Sequence, residues 1–175
     1  MDEVRISVEL PRGVEDAWRA LFDSAARRIW WGRRVDLPEK RGGGFIEYWR
    51  DGEGHERSSS GEILELRRPE LLRLSWRDDD WPEPTRVELR LKPGKQGSHL
   101  ELVHSGFEKL GPKLLYNLEE YQHGWEALLD DLRTYLAGRA EELDAEAADD
   151  DEPTESEDAA ESEDEETASD AGEPS

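Results

Sequence analysis

"YQHGWEALLDDLRTYL" spans residues 121–136, and its reading decides the fold. Taken back to Pro112, the apolar positions Leu114, Leu118, Tyr121, Trp125, Leu128, Leu132 and Tyr135 recur in steps of four and three. Leu115, Gln122, Leu129 and Leu136 form a second row beside them. Residues three and four apart share a helix face, so the spacing predicts a long helix from about 112 to 136. Its apolar face is broader than a coiled-coil seam and requires a large partner. Gly124 sits inside this helix at a cost of about 1 kcal/mol relative to alanine. On a helical wheel it falls at the margin of the apolar face, beside Tyr121, Leu128 and Tyr135. The missing side chain has two readings: close backbone packing against a neighbour, or a role at the mouth of a cavity.

The residues upstream supply the partner. Val4, Ile6, Val8 and Leu10 alternate with polar residues, which marks a half-buried strand. Val14, Ala17, Trp18, Leu21 and Phe22 then fall at helical spacing. A second short helix carries Ala25, Ala26, Ile29 and Trp30, with Asp23 or Ser24 as its cap and Gly32 as its stop. From there the pattern is β. "RVDL" is a short strand, and "GGGFIEYWRDGEG" is a strand entered through glycines and left through a turn. "GEILELRRPELLRLSW" gives two strands, with Leu72, Leu74 and Trp76 on one face of the second. "TRVELRLKPGKQGSHLELVH" is a hairpin about a Pro-Gly turn. Successive strands joined by short turns predict an antiparallel meander.

Composition sets the limits. Of the 45 acidic residues, 16 lie between Asp144 and Ser175, a stretch with no Lys or Arg. The body therefore holds 29 acidic against 23 basic residues, together with every Trp, Tyr and Phe of the chain. A domain over residues 1–140 is expected, followed by an acidic tail over 141–175. The tail has too little apolar surface to offset its ordering entropy, so disorder is expected there. It is read as a solubilising tail, with contact to a partner or to "RRIWWGRR" as the alternative. The chain has no cysteine, which excludes disulfides and thiolate sites. The charged start and the lack of a long apolar run point to a cytoplasmic protein without a membrane span. The acidic balance disfavours nucleic acid, with "RRIWWGRR" as a local basic exception.

Enzyme motifs are missing. None of the four histidines forms a zinc-protease pair, and there is no G-x-S-x-G and no Walker A loop. "GGGF" enters a strand and lacks the later glycine of a dinucleotide fingerprint. No metal or cofactor is expected. His104 continues the inward face of Leu100 and Leu102, where it serves as a hydrogen-bonded wall residue or as a base or ligand anchor. Glu47 lies between Phe45 and Trp49 on one strand face. Inward, it would orient a polar ligand group; outward, it would be solvated. Trp18, Trp30, Trp76 and Trp125 fall on predicted buried faces.

"PRGVEDAWRALFD", "RRIWWG", "GGGFIEYW", "GEILELRRPELLRLSW", "LELVHSGF" and "YQHGWEALLDDLRTYL" resemble, in that order, the START and Bet v 1-like superfamily. They resemble most its branch similar to the C-terminal domain of the Hsp90 ATPase activator, over residues 4–138. The resemblance implies an α+β helix-grip fold. A curved antiparallel sheet of six or seven strands grips a long C-terminal helix, with two short helices after the first strand. It implies a cavity between sheet and helix, and hence a non-catalytic module for a lipid-like, polyketide-like or aromatic small molecule. The candidate lining is Trp49, Trp76, His104, Tyr121, Gly124, Trp125, Leu128 and Glu47. Two alternatives are a protein-interaction module with a chaperone or other protein partner, and a cyclase or hydrolase using His104 and Glu47. A monomer or weak dimer is expected.

Overall fold

A computed structural model of the chain describes residues 3–112 and 117–138. The 141–175 tail and the stretch 113–116, at the expected start of the long helix, lie outside the described residues.

The elements run β1 (Val4–Leu10), α1 (Val14–Phe22), α2 (Ser24–Trp30), β2 (Val35–Asp36), β3 (Gly44–Arg50), β4 (Glu56–Arg67) and β5 (Leu71–Asp78). They continue with β6 (Thr85–Pro93), β7 (Ser98–Ser105), a 3₁₀ turn at Phe107–Leu110, and α3 (Asn117–Leu136). The seven strands form one sheet in the order β1-β7-β6-β5-β4-β3-β2, antiparallel throughout. This is the helix-grip arrangement. Asp23 caps α2, its Oδ1 accepting the Ala26 N–H at 2.8 Å. Strand β4 begins at Glu56, earlier than its apolar pattern shows, because Ser58, Ser59 and Ser60 carry no hydrophobic alternation.

Register builds the core in rows across the concave face. Ile6 faces Leu102, Leu102 faces Leu89, Leu89 faces Leu72, and Leu72 faces Leu66. The next row runs Val4, His104, Val87, Leu74 and Ile63. The opposite face carries charged residues in crossed pairs, such as Arg5 with Glu101 and Arg73 with Glu65 and Glu88. Gly61 marks where β4 bends over β5: a Cβ there would lie 1.7 Å from the Ser75 carbonyl oxygen.

Helix α3 approaches β1, α1 and α2 closely. Leu129, Leu132 and Leu136 are buried on this helix, and Trp125 is buried against Trp31, Trp76 and His104. The basic stretch near α2 is also folded in. Arg27 is buried and donates to the carbonyls of Leu21 and Leu37. Arg34 pairs with Glu56 and stacks over Tyr48. "RRIWWGRR" is therefore not a continuous basic surface.

Candidate functional site

Under the N-terminal half of α3 the helix and sheet part and leave a cavity of about 660 Å³. That volume lies within the usual range for small-molecule sites. Strand β3 brings Glu47 and Trp49, β5 brings Trp76 and Asp78, and Trp31 enters from the end of α2. Helix α3 contributes Tyr121, Gly124, Trp125 and Leu128. Arg50, Asp51, Arg57, Asp80 and Glu120 complete the lining.

Glu47 faces inward, which settles the alternative that the sequence left open. Its Oε2 accepts the Trp31 indole N–H at 2.8 Å. Burial pushes its carboxyl from an ordinary 4.5 up to about 7, the Trp31 bond opposing and the nearby Asp78 charge adding to the rise. Asp78 is itself buried. Its Oδ1 accepts from the Ser59 hydroxyl at 2.6 Å, the Tyr121 hydroxyl at 2.5 Å and the Trp76 indole at 3.3 Å. Burial raises the Asp78 pKa, and these three donors pull it back. The Trp49 indole donates to Ser59 Oγ at 3.0 Å, which ties the β3 wall into the same network.

His104 stands behind the cavity wall and does not line it. It is fully buried. The Trp125 indole can only donate, and it reaches His104 Nδ1 at 3.1 Å. Nε2 therefore carries the proton and donates to Thr85 Oγ1 at 2.7 Å, and the Thr85 hydroxyl donates to the Trp76 carbonyl at 2.8 Å. Both ring nitrogens are committed, and burial lowers the pKa to about 3. His104 is hydrogen-bonded as expected but sits behind the wall, with both ring nitrogens used within the fold.

Gly124 overturns the packing reading. A Cβ built there meets nothing within 4 Å, because the residue borders the open cavity. Leu128 is only partly buried and also borders it. Seven of the eight expected lining residues thus surround one space, with His104 set back. The sequence reading missed Trp31, Asp78, Arg57 and Ser59. Asp78 had a usable signal: it continues the period-two face of Leu72, Leu74 and Trp76. Trp31 had none, since it follows α2 outside the helical spacing of Ile29 and Trp30.

Comparison with curated proteins finds no match. Among solved structures, the chain is similar to DynU16, a protein in the dynemicin biosynthetic locus, at 20% identity and a TM-score of 0.65. The alignment covers 78% of this chain and 48% of DynU16, so the chain spans about half the length of that relative. CalU16 from Micromonospora echinospora is 26% identical with a TM-score of 0.57, covering 85% of this chain and 83% of its own. The Aha1 dimer from Colwellia psychrerythraea is 14% identical with a TM-score of 0.60, covering 78% and 96%. The family described as "Activator of Hsp90 ATPase homolog 1-like protein" matches residues 12–137. With most of its length matched and the helix-grip fold in place, the chain belongs to the activator of Hsp90 ATPase homolog 1-like family of the START and Bet v 1-like superfamily.

Proposed function

We propose that the domain is a non-catalytic binding module whose cavity holds a flat, largely apolar small molecule of lipid-like, polyketide-like or aromatic class. One observation carries this reading: a space of about 660 Å³ between helix and sheet is walled by Trp31, Trp49, Trp76, Tyr121 and Trp125 and lies against the buried core. Desolvation of the ligand against these rings supplies affinity, and Glu47 and Asp78 fix orientation. The DynU16 relative comes from a biosynthetic locus for a small molecule, which fits this class.

A second reading rests on Glu47. A carboxyl with a pKa near 7 in a cavity suits general acid–base work, as a cyclase or hydrolase would need. The family description supports a third, in which the domain docks on a chaperone.

Titration with the neutral dye N-phenyl-1-naphthylamine tests the proposal. The dye is expected to brighten saturably at one site. Gly124→Trp places a ring in the open space and is expected to weaken binding at least tenfold while leaving the helix signal in circular dichroism intact. A dye affinity indifferent to Gly124→Trp would remove the cavity as the binding site. Stoichiometric dye binding with turnover of ester or lactone substrates, lost in Glu47→Gln, would favour the enzyme reading instead.

A further inference from the structure

The aromatic walls of the cavity are short of free hydrogen-bond donors. All four lining indoles are already committed: Trp31 to Glu47, Trp49 to Ser59, Trp76 to Tyr121 and Asp78, and Trp125 to His104. The Tyr121 hydroxyl donates to Asp78. An indole N–H can donate only once with good geometry, so these rings offer a ligand carbon surface and π-electron density. The acceptor side is different. Glu47 uses Oε2 for Trp31, and Oε1 takes no hydrogen bond from another described residue.

The charges point the same way. Carboxylates of Asp51, Asp80 and Glu120 join Glu47 and Asp78 around the space. The lining cations are Arg50 and Arg57, and Arg57 is held by Asp79 at 2.6 Å and Asp80 at 2.7 Å while lying over the Trp49 ring. A cavity whose lining carries five carboxyls against two guanidiniums, and whose indole donors are already used, is complementary to an organic cation. Cation–π attraction to Trp is strongest where water is excluded, and a carboxylate at the base adds a charge-assisted hydrogen bond.

Resting on the proposal that this cavity is a small-molecule site, we infer that its ligand carries a positively charged amine or ammonium group on an aromatic or apolar frame, seated between the indole walls with its charge toward Glu47 and Asp78. A bound cation favours the ionised form of both carboxyls. Binding near pH 6, where Glu47 is largely protonated, therefore releases protons.

The test uses the full chain and two probes of the same shape. Benzyltrimethylammonium and neopentylbenzene differ only in a charged nitrogen for a carbon. Quenching of tryptophan fluorescence reads the cavity and ignores loose association of the cation with the acidic tail. The cation is expected to bind at least tenfold tighter than its neutral twin. Glu47→Gln is expected to narrow that gap at least fivefold, and Glu47→Asp to restore most of it. Calorimetry of the cation at pH 6 in two buffers of different ionisation enthalpy is expected to show proton release. Equal or tighter binding of neopentylbenzene overturns the charge inference and leaves the cavity reading standing. If neither probe quenches, both fall.

Discussion

The two halves of α3 carry similar residues in different surroundings. In the C-terminal half, Leu129, Leu132 and Leu136 press into β1, α1 and α2 and are at most 6% exposed. In the stretch before it, Tyr121, Gly124 and Leu128 border open space. The same three-and-four spacing produced both. Periodicity reports that a face is apolar; it does not report whether atoms or a void lie opposite. One helix thus combines an anchoring segment, where stability resides, with a roof segment, where binding is proposed.

The sharpest break between the halves is a pair of truncations. Leu132→Ala is expected to cost about 2–5 kcal/mol, because it leaves a hole among packed neighbours. Leu128→Ala removes a side chain that already faces a void, and about 1 kcal/mol or less is expected, since most of its contact is on one side. Urea denaturation of both variants checks this. Equal losses would mean that the roof is as tightly packed as the anchor.

The two glycines with opposite surroundings give the next test. At Gly61 a methyl would collide with the Ser75 carbonyl, so Gly61→Ala is expected to destabilise by about 3 kcal/mol, the upper part of the usual overpacking range. A thermal midpoint close to that of the parent protein would show that β4 has room to shift.

Glu47, on β3 beneath the roof segment, gives a test by pH. Its carboxyl holds a proton in the folded state up to about pH 7, whereas in the unfolded chain it releases it near 4.5. Between those values the folded state binds more protons, so this group's contribution is fully present below pH 4.5 and is lost as pH rises to 7. Glu47→Gln lacks that loss. Its stability relative to the parent is expected to rise by up to about 3 kcal/mol between pH 4.5 and 7. Asp78 shifts in the same direction in both proteins and largely cancels in the comparison. A difference that stays flat across this window would place Glu47 in solvent.

The smallest effect belongs to Gly124→Ala. Helix propensity improves by about 1 kcal/mol and the new methyl meets nothing, so stability is expected to hold or rise slightly in thermal denaturation. A loss of stability would restore close packing at this position.

Much of the scaffold was legible because alternation is a direct record of which side meets the core. Leu72, Leu74 and Trp76 gave β5, and Val4, Ile6 and Leu10 gave the first strand. The orientation of β3 was not legible. Phe45, Glu47 and Trp49 on one side and Ile46, Tyr48 and Arg50 on the other each hold two large apolar residues and one charge, so burial energies nearly balance. Register with β4 breaks that tie and turns Phe45 and Glu47 inward. His104 was legible as an inward residue. Its role depended on Thr85 and Trp125, partners that only the folded chain brings together. Gly124 was noticed for its cost, yet the void beneath it is a property of α3 diverging from the sheet, which no local pattern encodes.

The chain carries its own reporters for the central claim, that the roof segment covers a working binding cavity. Seven tryptophans give seven indole N–H signals in a nitrogen–proton correlation spectrum, and four of them line the cavity. Titration with N-phenyl-1-naphthylamine is predicted to move the signals of Trp31, Trp49, Trp76 and Trp125 along a common saturation curve. Trp18 and Trp30, whose indoles donate to Glu39 and to the Ala20 carbonyl in the anchor region, are predicted to stay in place. Shifts confined to Trp18 and Trp30, or no shift at any indole at saturating dye, would contradict it.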